Sequence, residues 1–148
     1  MSLRVFTYGM LTNSRIMRLI DEHATNLGLA TLPQHCIDIG DYAFVFPDCF
    51  HNVQGVLWEL SSSRALELLD DIEGVPNLYE RLETHIDHQN RKVVAWYYMP
   101  PRQPLISSPH FRYIDDLVQG YREHGISNKR LEILFPLHFQ PTKKEKHE

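Results

Sequence analysis

The stretch LELLDDIEGVPNLYER, Leu66 to Arg81, places Asp70, Asp71 and Glu73 within four residues and follows them with Gly74. Carboxylates this close can do general acid–base chemistry if one of them is driven to hold a proton near neutral pH. Position singles out Glu73. It stands where the chain leaves a helix, so the C-terminal carbonyls and two neighbouring carboxylates all raise its proton affinity. Asp70 and Asp71 are expected to face water. A second candidate is YGML, Tyr8 to Leu11, between an expected strand and an expected helix. Gly9 lets the backbone turn so that successive N–H groups point into one concavity, an anion-binding nest. The N-terminus of the next helix adds favourable potential.

Other chemistry finds little support in the residues. The chain has nine histidines, and His85 and His88 form H-x-x-H, one on an expected strand and one in a turn. No helical H-E-x-x-H or C-x-x-C is present, so no metal is expected. Ser61, Ser62 and Ser63 read as helix caps, and Cys36 and Cys49 as reduced thiols. Neither a Walker loop nor G-x-G-x-x-G occurs, and no cofactor is expected.

The elements that must hold these residues are legible in outline. Leu3 to Tyr8 alternates and is rich in β-formers, so it reads as a strand. Asn13 or Ser14 caps a helix carrying Ile16, Leu19, Ile20 and Leu27. Leu29 to Phe46 reads as short strands broken at Pro33 and Gly40-Asp41, then Pro47 to Asn52 as a loop. Val53 to Leu60 is a strand with Val56, Trp58 and Leu60 on one face. The carboxylate helix follows, with Ala65, Leu69 and Ile72 at i, i+4, i+7 and Gly74 as its C′ residue. Leu82, Thr84 and Ile86 mark a half-buried strand from Tyr79 to Asp87. Val93 to Met99, almost continuously apolar, is expected to be central. A proline-rich loop leads to a helix with Phe111, Ile114, Val118 and Tyr121 on one stripe and Gly125 as its stop. Ser127 caps a short last helix that Pro136 ends. The pattern predicts one α+β domain over residues 1–139, built on a mostly antiparallel, barrel-like sheet, with a solvated charged tail at 140–148.

Composition bounds the function from outside. The 148 residues are 43% hydrophobic and 23% charged, with formal net charge −4. An acidic chain is a poor match for nucleic acid. No apolar run approaches the roughly 20 residues of a membrane span, and MSLRVFTYGM lacks the apolar core of a signal peptide. A cytoplasmic protein is expected.

Four motifs then occur in a fixed order: FTYGML, VQGVLWEL, LLDDIEGVPNLYER and SPHFRYIDDLVQGYREHGI. Together, from Val5 to about Leu134, they resemble the γ-glutamylcyclotransferase-like family, in its avirulence-induced-gene-like and γ-glutamylamine cyclotransferase branch. The resemblance implies a small mixed α+β barrel with a pocket at one mouth. It implies a substrate-binding loop at Tyr8, Gly9, Met10 and Leu11, a proton-transferring glutamate at Glu73, and pocket tyrosines at Tyr79 and Tyr113. Met10 departs from the Ser or Thr usual in the family. The implied partner is a small-molecule γ-glutamyl compound, cyclised without cofactor to 5-oxoproline with release of its amine. Two other readings stand beside this one: a non-catalytic binding module on the same fold, and cleavage of a related amide that is not γ-glutamyl.

Overall fold

The computed structural model describes residues 3–104 and 109–139; the charged tail at 140–148 lies outside them. Five strands close into a barrel in the order β1-β3-β2-β4-β5. They are β1 (Arg4–Thr7), β2 (Thr25–Ile39), β3 (Ala43–Glu59), β4 (Glu80–His88) and β5 (Arg91–Met99). Every pairing is antiparallel except β1 with β5, whose parallel contact at Val5 and Trp96 shuts the barrel. The family-like expectation of a mixed, mostly antiparallel barrel with flanking helices is what the chain forms. β5 lies between β4 and β1, but a closed barrel has no central strand, and Val94 in its apolar run is exposed.

Turn chemistry sets the registers. Gln89 and Asn90 both take positive φ, at 49° and 63°, and join β4 to β5 so that His88 faces Arg91. A two-residue turn of this hand matches the natural twist of the strands. Between β2 and β3 the register slips once where Gly28 takes a φ of 92°. It slips again between Pro33 and His35.

Several expected boundaries move. The chain from Leu29 to Ile39 is continuous with β2, because Pro33 sits at the register shift, where its missing N–H costs no ladder bond. The expected loop from Pro47 to Asn52 lies within β3. Pro33 pairs with Asn52 and His35 with Pro47, so only Gln34 opposes the four residues Asp48 to His51. β3 therefore carries a four-residue excursion there. In β3 Leu57 is as buried as Val56 and Trp58, since barrel and helices cover both faces.

Four helices flank the barrel: α1 (Ser14–Ile20), α2 (Ser63–Glu73), α3 (Phe111–His124) and α4 (Lys129–Leu134). The caps follow local rules. The side chains of Asn13 and Ser62 accept the N–H groups of Arg15 and Ala65, and Gly74 and Gly125 end α2 and α3 at φ of 71° and 69°. α1 stops at Ile20, so Leu27 belongs to β2, and the residue α1 buries is Met17 while Leu19 is exposed. Leu66 and Leu69 anchor α2, whereas Ile72 is half exposed. Phe111 at the start of α3 is exposed, and Ile114, Leu117, Val118 and Tyr121 are buried. One core joins these residues to Phe6, Leu32, Leu57, Trp58 and Ile86 of the barrel. Among the described residues no helix is long and apolar enough to cross a membrane.

Candidate active site

A cavity of about 290 Å³ opens at one mouth of the barrel. Its wall includes Tyr8, Gly9, Met10 and Leu11 from the segment after β1, Glu73 from the end of α2, and Tyr79 just before β4. Tyr113, from the first turn of α3, completes the set. All seven residues singled out in the sequence therefore line one concavity, although they span more than a hundred positions. Thr7, Tyr42, Ala43, Ile72, Leu78 and Tyr98 share the lining.

The loop at Gly9 is fastened through its carbonyls. Met10 to Thr12 form a single 3-10 turn, in which the Gly9 carbonyl accepts the Thr12 N–H at 3.0 Å and the Thr12 hydroxyl at 2.7 Å. The Tyr121 hydroxyl donates to the Tyr8 carbonyl at 2.8 Å, and the Trp58 indole N–H to the Leu11 carbonyl at 3.1 Å. Among the described residues the N–H groups of Gly9, Met10 and Leu11 have no acceptor. Three successive free donors in a fixed turn can receive an anionic or carbonyl oxygen. The Asn13 cap starts α1 directly afterwards.

Tyrosine hydroxyls brace the opposite wall. Ala43 opens β3 at the end of the hairpin turn. Its N–H donates to the Tyr113 hydroxyl at 2.7 Å, and its carbonyl accepts the Tyr79 hydroxyl at 2.9 Å. The Tyr8 hydroxyl donates to the Tyr98 carbonyl at 2.6 Å. Burial pushes the phenols of Tyr8, Tyr79, Tyr98, Tyr113 and Tyr121 upward, so all stay neutral at physiological pH.

Glu73 is the only residue of the lining with a carboxyl group. Burial drives its pKa up to about 7. The sequence assigned that rise to the helix end and to Asp70 and Asp71; desolvation is the cause the structure supplies. No hydrogen bond or ion pair from the described residues holds it in its charged form.

Asp70 corrects a second expectation, because it does not face water. It accepts the Tyr98 hydroxyl at 2.7 Å and pairs with the Arg81 Nε at 3.0 Å, beneath a guanidinium stacked 4.3 Å from the Trp96 ring. Asp71 is exposed as expected. Asp70→Asn should therefore lower stability by about 1–2 kcal/mol, through a weakened pairing of a guanidinium whose Nη1 already lacks a partner. Asp71→Asn should stay within about 0.5 kcal/mol of wild type. Urea unfolding of the two variants checks the contrast.

The sequence reading missed Trp58, Tyr98, Tyr121 and Thr12 as supports of the loop. Tyr121 was visible only as an apolar position on the α3 stripe, and its hydroxyl gave no periodic signal.

The family model described as γ-glutamyl cyclotransferase, AIG2-like, matches residues 5–114. The chain belongs to this family. Solved structures agree on the fold. A γ-glutamyl cyclotransferase aligns with a TM-score of 0.80 at 22% identity, covering 97% of this chain and 90% of its own. An uncharacterized protein from Homo sapiens gives 0.79 at 22% identity, covering 96% and 90%. An AIG2-like protein from Mus musculus gives 0.57 at 21% identity, covering 74% and 86%. No curated protein matches the sequence at a significant level. Within the matched span of the γ-glutamyl cyclotransferase, AIG2-like family lie all seven lining residues named from the sequence, Tyr113 at its very edge.

Proposed function

We propose that the protein cyclises a γ-glutamyl amide, releasing 5-oxoproline and the amine, with Glu73 as general acid and base. The observation that carries this reading is a lone carboxyl group in a tyrosine-lined cavity, with its pKa pushed up to about 7 by burial. Such a group exists in both protonation states near neutral pH, as a residue that takes and returns one proton requires.

The steps follow from the substrate. A γ-glutamyl compound carries its nucleophile, the α-amine, and its electrophile, the γ-carbonyl, in one molecule. A cavity that holds it curled supplies the proximity. Ionised Glu73 removes a proton from the α-ammonium, the nitrogen attacks the γ-carbon, and a five-membered ring closes. The protonated carboxyl then delivers that proton to the leaving nitrogen as the C–N bond breaks. The second proton, still on the ring nitrogen, passes to the freed Glu73 carboxylate and on to the amine, which departs as ammonium. The free N–H groups of Gly9, Met10 and Leu11 receive the substrate carboxylate or the developing oxyanion. Backbone donors do not depend on the side chain, so Met10 is compatible with this role. The open cavity favours an enzyme over a binding module, whose pocket could be filled by its own side chains.

Incubation with a panel of γ-glutamyl compounds, followed by mass spectrometry for 5-oxoproline, tests the reading. Absence of 5-oxoproline from every member would sink it. The pH dependence is also set. Glu73 must be ionised to start the reaction, so kcat/KM should rise with pH through a midpoint near 7. A limb with its midpoint at an ordinary carboxylate value, two or more pH units lower, would show that another group titrates.

A further inference from the structure

The excursion of β3 brings together three side chains that the reaction at the barrel mouth does not use. Cys36 on β2 pairs across the hairpin with Phe46 of β3. Two residues beyond Phe46, Asp48 returns to the same face, because side chains on a strand alternate. The excursion then brings His51 back beside Asp48, with Nδ1 3.1 Å from Oδ2. The Phe50 N–H donates to the other carboxylate oxygen at 2.9 Å, which fixes the Asp48 rotamer. One ligand atom from each of Cys36, Asp48 and His51 lies within 4.8 Å of the other two.

We propose that Cys36, Asp48 and His51 form a binding site for a zinc-class divalent cation on the β2–β3 hairpin. Sulfur, imidazole nitrogen and carboxylate oxygen are the three donor types that zinc accepts, and a hard ion such as Mg²⁺ would reject the thiolate. On a tetrahedral ion with bonds of about 2.0 Å, nitrogen and oxygen ligands stand about 3.3 Å apart. The 3.1 Å between His51 and Asp48 is close to that, so the ion can take the place of the proton they share. Cys36 and Asp48 are half-buried and His51 is exposed, which leaves the imidazole free to swing the remaining distance. The thiol proton of Cys36 passes to solvent on binding. Water fills the fourth position. His35 is no rival ligand, since its two nitrogens face the Pro33 carbonyl and the Tyr97 hydroxyl. The site lies five residues along β3 from Ala43, about 17 Å at the rise of a strand. It pins the excursion and takes no part in the chemistry at Glu73.

Titration of the full chain with Co²⁺, a coloured stand-in for zinc, reads the sulfur ligand directly. One equivalent should produce a near-ultraviolet thiolate-to-cobalt band that Zn²⁺ abolishes by displacement and Mg²⁺ leaves intact. Cys36→Ser should remove the band, His51→Ala should weaken cobalt binding by about tenfold or more, and Cys49→Ser should change neither. Because His51 is exposed, its variant is expected to fold even if the Cys36 variant does not; at equal concentration Zn²⁺ should raise the melting temperature of wild type clearly more than that of His51→Ala. No band at all, a band that survives Cys36→Ser, or one lost in Cys49→Ser would overturn the assignment.

Discussion

Replacing Glu73 by Gln should lower turnover by about 10²–10⁴-fold while substrate still binds. Glutamine keeps the shape of the side chain and cannot accept a proton at neutral pH. The loss should appear in kcat, because the interaction removed belongs to proton transfer. Folding should survive and change in a defined direction. The native pKa of Glu73 is raised, so its favourable contribution is full below about 4.5 and is lost as pH climbs through about 7. Above pH 7 the wild-type chain holds a desolvated carboxylate that the variant lacks. Glu73→Gln should then be the more stable protein at pH 8, by about 2 kcal/mol after allowing for partial exposure. The advantage should vanish near pH 4. Kinetics and thermal melts on the same preparation separate the two effects. Near wild-type turnover in the variant would remove Glu73 from the mechanism.

The second large effect lies outside the cavity. A Cβ at Gly120 of α3 would stand 2.2 Å from the Thr12 hydroxyl oxygen, 2.7 Å from the Asn13 nitrogen and 2.9 Å from the Thr12 carbonyl carbon. Two of those neighbours are backbone, so a rotamer change cannot relieve the contact. Gly120→Ala must push α3 away from the turn that carries Gly9, Met10 and Leu11. Overpacking of this kind costs about 1–3 kcal/mol, roughly 3–10 °C in melting temperature for a chain of this size. Function should suffer as well, because the same movement strains the Thr12 bond to Gly9, the Tyr121 bond to Tyr8 and the Tyr113 bond to Ala43. KM should rise together with the fall in stability. An unchanged melting temperature and KM would show that the turn and α3 are not coupled through this contact.

These residues also show what could be read from the chain and what could not. The caps at Asn13, Ser62, Gly74 and Gly125 were visible because each rests on a bond within a few residues. Glu73 and the Gly9 loop stood out for the same local reason, and the family motifs then grouped them with Tyr79 and Tyr113. Asp70 was misplaced because its partners come from β4 and β5, which no local pattern brings near α2. The cause of the raised Glu73 pKa was misread for a related reason: spacing shows neighbours along the chain, whereas desolvation depends on walls built by distant elements. Pro33 and the residues around Pro47 looked like breaks. They are register shifts inside one long hairpin, and a partner strand is needed to tell the two apart. Tyr98 and Tyr121 were hidden because a buried tyrosine and a core apolar residue give the same periodicity.

The central claim is that the substrate's own α-amine, and no water molecule, attacks the γ-carbonyl beside Glu73. The most direct measurement is turnover of a γ-glutamyl amide in ¹⁸O-labelled water, with products weighed by mass spectrometry. The account predicts 5-oxoproline formed one-for-one with the released amine and free of ¹⁸O, by wild type and far more slowly by Glu73→Gln. Glutamate carrying ¹⁸O in its γ-carboxylate would make the protein an amide hydrolase and contradict it.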